Sequence, residues 1–456
     1  RTPNRHSHPN QLGTEMHHRP SPARTRPRQL LKHDIYTACT TISSNLKRNP
    51  HLDKHLAAKA SAKNPASSVS SFFSLSAAHA RASHSILSMD IVLTHFTALE
   101  ALRSPSLRKR LAKGQRCDAN LPDRPPTKEE LIQAMSNLPD SVREIDRPEI
   151  LLDHDAPRSR PRHVKTHRAI ASLPSGSAVE LAPGVRCVSP EHLVVQLAAM
   201  LTELEIVCLL SEMLGTYAIA PGLEKAMFSR DQPLTTPELI KGQLEQLGPV
   251  AGTAKTRRAL KMACVRSASP RETKLSLRMG LSKARGGYGF EVLSMNDPVE
   301  VQRIHDSMRT GVRKPDILLR APGDSGASGV TLRGVALEYD GRDHEEAEQH
   351  AADVERHNEL TAKGFNEYVV TRRQYADLDY MDGLAEAIRR DLGIRKVRVT
   401  RAVANERRRR REKLWRELEE IDGVNWSCLA SKDEGERDQD PDQGDDGWDE
   451  VPVEAY

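Results

Sequence analysis

Apolar periodicity is confined to the middle of this 456-residue chain, and that confinement decides which part can fold. Residues 1–50 are rich in Pro, His and Arg, and residues 61–88 hold ten Ser in 28 positions. Neither stretch can bury enough apolar surface to offset the entropy of ordering a chain. Charge follows the same division. Residues 1–88 carry 13 Lys+Arg against 3 Asp+Glu, and residues 421–456 carry 2 against 12, so the flanks cancel and the middle keeps the whole chain's +5. We therefore expect disordered termini: a basic, Ser-rich segment over 1–88 and an acidic tail over 421–456. Met89 opens the first well-patterned segment, so one expectation is that 1–88 lies upstream of a native start at Met89. Residues 1–50 also lack the 7–15-residue apolar run of a signal peptide.

Two classes of protein are excluded. The most apolar stretch, 193–214, contains Glu203, Glu205 and Glu212, whereas a membrane span needs about 20 mainly apolar residues. The six cysteines are scattered with no C-x-x-C pair. That argues against a disulfide scaffold and a thiolate zinc site, and for a reducing cytoplasm.

Residues 89–265 read as a mostly helical region. Thr94 stands where it would cap a helix running to Leu102, and Thr127 with Glu130 forms a capping box. Residues 163–188 look extended, with turns at Pro174-Ser175-Gly176 and Pro183-Gly184. Ser189-Pro190-Glu191 and Thr236-Pro237-Glu238 each supply a cap, a first-turn proline and an acid that favours the helix dipole. The segment from Thr253 to Cys264 presents Lys255, Arg257, Arg258 and Lys261. Such short basic helices suit a helical core or a DNA-positioning helix-turn-helix.

From Ser269 to about residue 400 the pattern becomes mixed α/β, in the order α-β-β-β-α-β-α, which implies a central sheet flanked by helices. Strands are expected at 290–293, 314–319, 334–339 and 368–371, with helices closed by Gly364 and Gly393. A charged, exposed helix follows over 401–420, with the run Arg407 to Arg411 available to phosphates and the acidic tail able to mask it.

Three acids fall at strand ends: Asp316, Glu338 and Asp340. Alternation puts 338 and 340 on one face. If the strand of Asp316 pairs with that of Glu338, the carboxylates meet, and their repulsion calls for a cation. Hard oxygen donors favour Mg²⁺ or Mn²⁺, which polarises a phosphodiester and acidifies water. His344 follows as a candidate general base or acid. Glu272, on the preceding helix, is a further candidate acid, and Asp353 and Arg356 share a helix face. Solvated acids that merely end strands are the bland alternative, and Asp340-Gly341 is also good turn chemistry.

Pro315-Asp316 followed by Glu338-x-Asp340 resembles the PD-(D/E)XK nuclease superfamily. The longer string Glu338-x-Asp340-Gly341-x-x-His344, then Asp353-x-x-Arg356 and Gly364, is similar to its branch related to the very-short-patch repair endonuclease. The likeness covers about 269–393. It implies a restriction-endonuclease-like mixed sheet and a metal-dependent nuclease site. Asp316 and Glu338 would be the metal ligands, and His344 would act where Asp340 replaces the superfamily's Lys. Asp353 and Arg356 would brace the helix. The preceding region, with Ser189-Pro190-Glu191 and Leu214-Gly215-Thr216-Tyr217, looks like the amino-terminal part of related actinobacterial proteins, which resemble antitoxins of abortive-infection systems and often have a winged-helix start. The function implied is a cytoplasmic DNA endonuclease of phage defence or repair, compatible with a homodimer. The alternative is a non-catalytic DNA-binding regulator with a degenerate nuclease fold.

Overall fold

The computed structural model describes residues 90–159, 161–306, 308–320, 334–340 and 347–428, with side chains from 354 onward in the last stretch. These residues belong to one unit, His79–Tyr456. Residues 1–88 lie outside them, as do 429–456 and His344.

The first half is not mostly helical. It is built on a five-stranded mixed sheet of β1 (Ile91–Leu93), β2 (Glu149–Leu152), β3 (Lys165–Arg168), β4 (Ala178–Ala182) and β5 (Val185–Val188). Their spatial order is β3-β2-β1-β5-β4. β1 runs parallel to β5 and antiparallel to β2. β1 and β2 are short and buried along their whole length. A strand covered on both faces shows an apolar run without alternation, and periodicity cannot tell such a run from a helix segment. The extended reading of 163–188 matches β3 to β5, and a two-stranded hairpin follows, β6 (Tyr217–Ile219) with β7 (Met227–Ser229).

Helices around this sheet begin at the caps expected at Thr127, Ser189 and Thr236. Ser189 accepts from the His192 N–H at the head of the Pro190–Ala198 helix. Thr202 and Glu205 make a reciprocal capping box for the Glu203–Met213 helix, and Thr127 and Glu130 make another for Lys128–Met135. Thr94 precedes the His95–Arg103 helix but does not cap it; its hydroxyl donates to Gln196 Oε1 at 2.8 Å. The cap comes from Glu149 on β2, whose Oε2 accepts the Phe96 N–H at 2.7 Å.

The second sheet is four-stranded: β8 (Val292–Ser294), β11 (Ile317–Arg320), β12 (Gly334–Asp340) and β13 (Phe365–Thr371), in the order β13-β12-β11-β8. β11 is antiparallel to both β8 and β12, whereas β12 and β13 are parallel. The Ala347–Lys363 helix lies between β12 and β13 in the chain. Gly364 ends it at φ +95, a left-handed conformation that glycine adopts without steric cost. Between β8 and β11 lies a separate hairpin, β9 (Val299–Gln302) with β10 (Thr310–Arg313).

Alternation sorts the second sheet into two faces. Ile317, Leu319, Val335, Leu337 and Val370 join the main core, together with Leu275 and Met279 of the Pro270–Gly280 helix. Leu318, Ala336 and Phe365 face the other way and pack with Leu360 and Val301. The main core runs from Ile91 to Leu418, so the change of sequence pattern near 265–269 is no gap in packing. The 401–420 segment is a helix, Arg401–Glu420, as expected, but it is not simply solvated: Leu414 and Leu418 are buried in the same core. No helix among the described residues is long and apolar enough to cross a membrane.

Candidate active site: a carboxylate pair at adjacent strand ends

Asp316 stands just before β11. Ile317 lies opposite Leu337 in the antiparallel pairing, which sets Asp316 beside Glu338. The two are braced across the strands by each other's backbone. The Asp316 N–H donates to Glu338 Oε1 at 3.2 Å, and the Tyr339 N–H donates to Asp316 Oδ2 at 2.8 Å. The expected meeting of these two acids is therefore present.

Burial pushes both carboxyl pKa values up. The Glu272 carboxylate adds to the rise at Asp316, and the Asp316 carboxylate adds to it at Glu338. The Arg356 guanidinium pulls both back down, as does the Tyr339 N–H at Asp316. The pair thus resists losing its last proton, as two half-buried carboxylates so close together must.

Arg356 reaches down from the Ala347–Lys363 helix. It forms an ion pair with Glu338, lies 3.6 Å from Glu367 Oε1, and approaches the Lys314 carbonyl at 3.4 Å. It does more than brace its helix: it is the cation of the cluster. Glu367, on β13, was not singled out from the sequence. Its side chain is only 6% exposed, and its other oxygen is 3.0 Å from His357 Nδ1. The signal was the strand itself. β13 begins at Phe365 rather than Tyr368, and Ala336 pairs with Glu367, so alternation puts Glu367 on the face of Glu338.

The other expected residues divide. Glu272 is buried next to the pair, with Oε2 accepting from the Ala268 N–H at 2.9 Å and from Asn296 Nδ2 at 2.8 Å. Asp340 ends β12 opposite Thr371. Among the described residues, however, no third ligating atom joins Asp316 and Glu338 within 4.8 Å. The one trio that close is Asp153, His154 and Asp155, three consecutive residues of a surface loop. Asp353 lies in the Ala347–Lys363 helix with its side chain outside the described residues, and His344 lies outside them altogether.

The basic helix expected to hold DNA has half of its cations engaged. The Thr253–Leu260 helix packs near the start of Glu203–Met213. Lys255 Nζ there donates to the Leu201 carbonyl at 2.8 Å, and Arg258 pairs with Glu203 at 2.8 Å. Arg257 and Lys261 stay exposed. In the Arg407–Arg411 run, Arg408 and Arg411 both bind Asp382, and Arg410 pairs with Glu406.

A second buried polar group lies on the first sheet. Glu149 accepts from Lys165 Nζ at 2.6 Å, and His167 Nε2 lies 3.3 Å away. His167 stacks on His95, ring centroids 3.7 Å apart. Burial raises the Glu149 pKa, but the bonds from His167 and Lys165 outweigh it and bring it down to about 2. No known protein family, curated protein or solved structure matches this chain.

Proposed function

We propose that the chain is a metal-dependent, endonuclease-like hydrolase of DNA phosphodiesters, with an α/β core of the restriction-endonuclease-like kind. The observation that carries this reading is the half-buried, cross-braced pair Asp316–Glu338 at adjacent strand ends. The element order supports it: the Pro270–Gly280 helix, then strands β8, β11 and β12, the Ala347–Lys363 helix and β13. The donor set fits a hard divalent cation, because Mg²⁺ is usually held by one or two carboxylates and completes its shell with water. Asp316 and Glu338 would hold the ion. When bound, it would supply charge neutralisation at the phosphate and a more acidic water. Glu272 raises the Asp316 pKa through its charge and bonds Asn296, whose backbone N–H donates to the Pro315 carbonyl at 2.9 Å. His344 is the proposed proton-transfer group, from its place in the sequence motif.

Cleavage of supercoiled plasmid by the purified chain in Mg²⁺ or Mn²⁺ tests this. Asp316→Ala is expected to lower the rate by roughly 10²-fold or more, since the ion is worth several kcal/mol of charge stabilisation. His344→Ala is expected to cost about 10²–10⁴-fold. Asp316→Ala cutting at the wild-type rate refutes the assignment. The binding-only reading draws on a specific observation, that Arg356 already neutralises Glu338. A mobility shift of DNA with no cleavage in either metal favours that reading.

A further inference from the structure

Arg356 has more to do than hold a helix. Its guanidinium lies between Glu338 and Glu367, two acids of neighbouring strands whose side chains are 12% and 6% exposed. Arg356 itself is 26% exposed, so it forms the solvent-side edge of a half-buried cluster. Its hydrogen bonding is incomplete: among the described residues the Nε–H finds no acceptor, and Glu367 at 3.6 Å is too far for one. A guanidinium offers five donors in a planar fork that matches phosphate oxygens, and it stays charged at every accessible pH. Asp316, Glu338 and Glu367 together carry more negative charge than one guanidinium balances. A second cation is therefore electrostatically welcome, but it must compete for Glu338.

We propose that Arg356 is a built-in counter-ion of the carboxylate pair: a divalent cation displaces it from Glu338, and the released guanidinium then binds a non-bridging oxygen of the substrate phosphodiester. The proposal rests on the nuclease reading above and gives this chain a cationic phosphate ligand although Asp340 stands where the resemblance expects Lys. No bond is made or broken in the exchange; one ion pair is traded for another. The Ala347–Lys363 helix anchors the side chain on the sheet face that carries both acids.

The test compares the full chain with Arg356→Gln and Arg356→Lys. Mn²⁺ binding to the metal-free protein is followed by calorimetry, and plasmid cleavage in Mn²⁺ is followed in parallel. Removing the competitor is expected to tighten Mn²⁺ binding several-fold in Arg356→Gln while cleavage falls by roughly 10²-fold. Arg356→Lys is expected to bind Mn²⁺ nearly as the wild type does and to recover part of the rate. A purely structural arginine would not separate the two readouts in opposite directions. If the wild type cuts DNA but Arg356→Gln binds Mn²⁺ no more tightly, or cuts as fast, the proposal is overturned and the nuclease reading stands. If the wild type neither binds Mn²⁺ nor cuts, both fall. Should Arg356→Gln fail to fold, Arg356→Lys decides: unchanged Mn²⁺ affinity with unchanged cleavage overturns the proposal.

Discussion

At the scale of single residues, protonation distinguishes the two polar clusters. Asp316 and Glu338 have raised pKa values, so the folded protein binds protons more tightly there than the unfolded chain. Their stabilising contribution is complete below the ordinary carboxylate value of about 4 and is lost as the pH rises above it. Asp316→Asn removes the Asp316 share of this dependence, lessens that of Glu338 and keeps an acceptor for the Tyr339 N–H. In metal-free buffer it should be more stable than the wild type at pH 8 by on the order of 1–2 kcal/mol and no more stable at pH 4, read from urea midpoints. Glu149 has the opposite sign. Its pKa is depressed to about 2, so its contribution is present above about 4.5 and is lost as the pH falls toward 2. Glu149→Gln should flatten the acid limb of the stability curve and leave the metal-dependent chemistry untouched. An unchanged acid limb would show that His167 and Lys165 do not hold the carboxylate as described.

At the scale of elements, close approach sets the tolerances. Gly286 sits at φ +88, and a Cβ there would collide with the Arg410 carbonyl of the Arg401–Glu420 helix. Gly286→Ala must therefore both strain the backbone and push that helix away. A loss of roughly 1–3 kcal/mol is expected from the conformation alone, measurable as a lowered melting temperature, and an unshifted melt would refute the contact. The same elements show what a sequence can and cannot reveal. Helix starts were legible because Ser189, Thr127 with Glu130, and Ser269 carry their own capping chemistry within three residues. The second sheet was legible because its strands are bounded by Gly and Pro and end on acids. β1 and β2 were not, because strands buried on both faces carry no alternation. The meeting of Asp316 with Glu338 followed from alternation and one assumed pairing. The part played by Arg356 did not, because it depends on how far one helix reaches across two strands.

At the scale of the whole molecule, the two ends of the described chain are tied together. Arg103, at the end of the first helix, makes a bidentate pair with Glu212 at 2.9 and 2.5 Å, and both side chains are almost wholly buried. The same guanidinium donates to the Gly423 carbonyl at 2.6 Å. Glu205, four residues into the capping box of its own helix, accepts from the Ser427 N–H and hydroxyl at 2.8 and 2.6 Å. Leu414 and Leu418 complete the core between these anchors. The Arg401–Glu420 helix is thus part of the fold of the first half as much as of the second. Ending the chain at residue 400 strips the buried Arg103 and Glu205 of hydrogen-bond partners, each such loss costing about 1–3 kcal/mol. It also exposes the surface that Leu414 and Leu418 cover, at about 1.5–3 kcal/mol for each leucine. The sum rivals the 5–15 kcal/mol that holds an ordinary domain together. The truncated chain should therefore lack a cooperative thermal transition and lose protection of Ile91 to Leu93 in hydrogen exchange, far from the cut in sequence. If that strand stays protected while only residues near the cut loosen, the two halves fold independently and the continuous core does not govern stability.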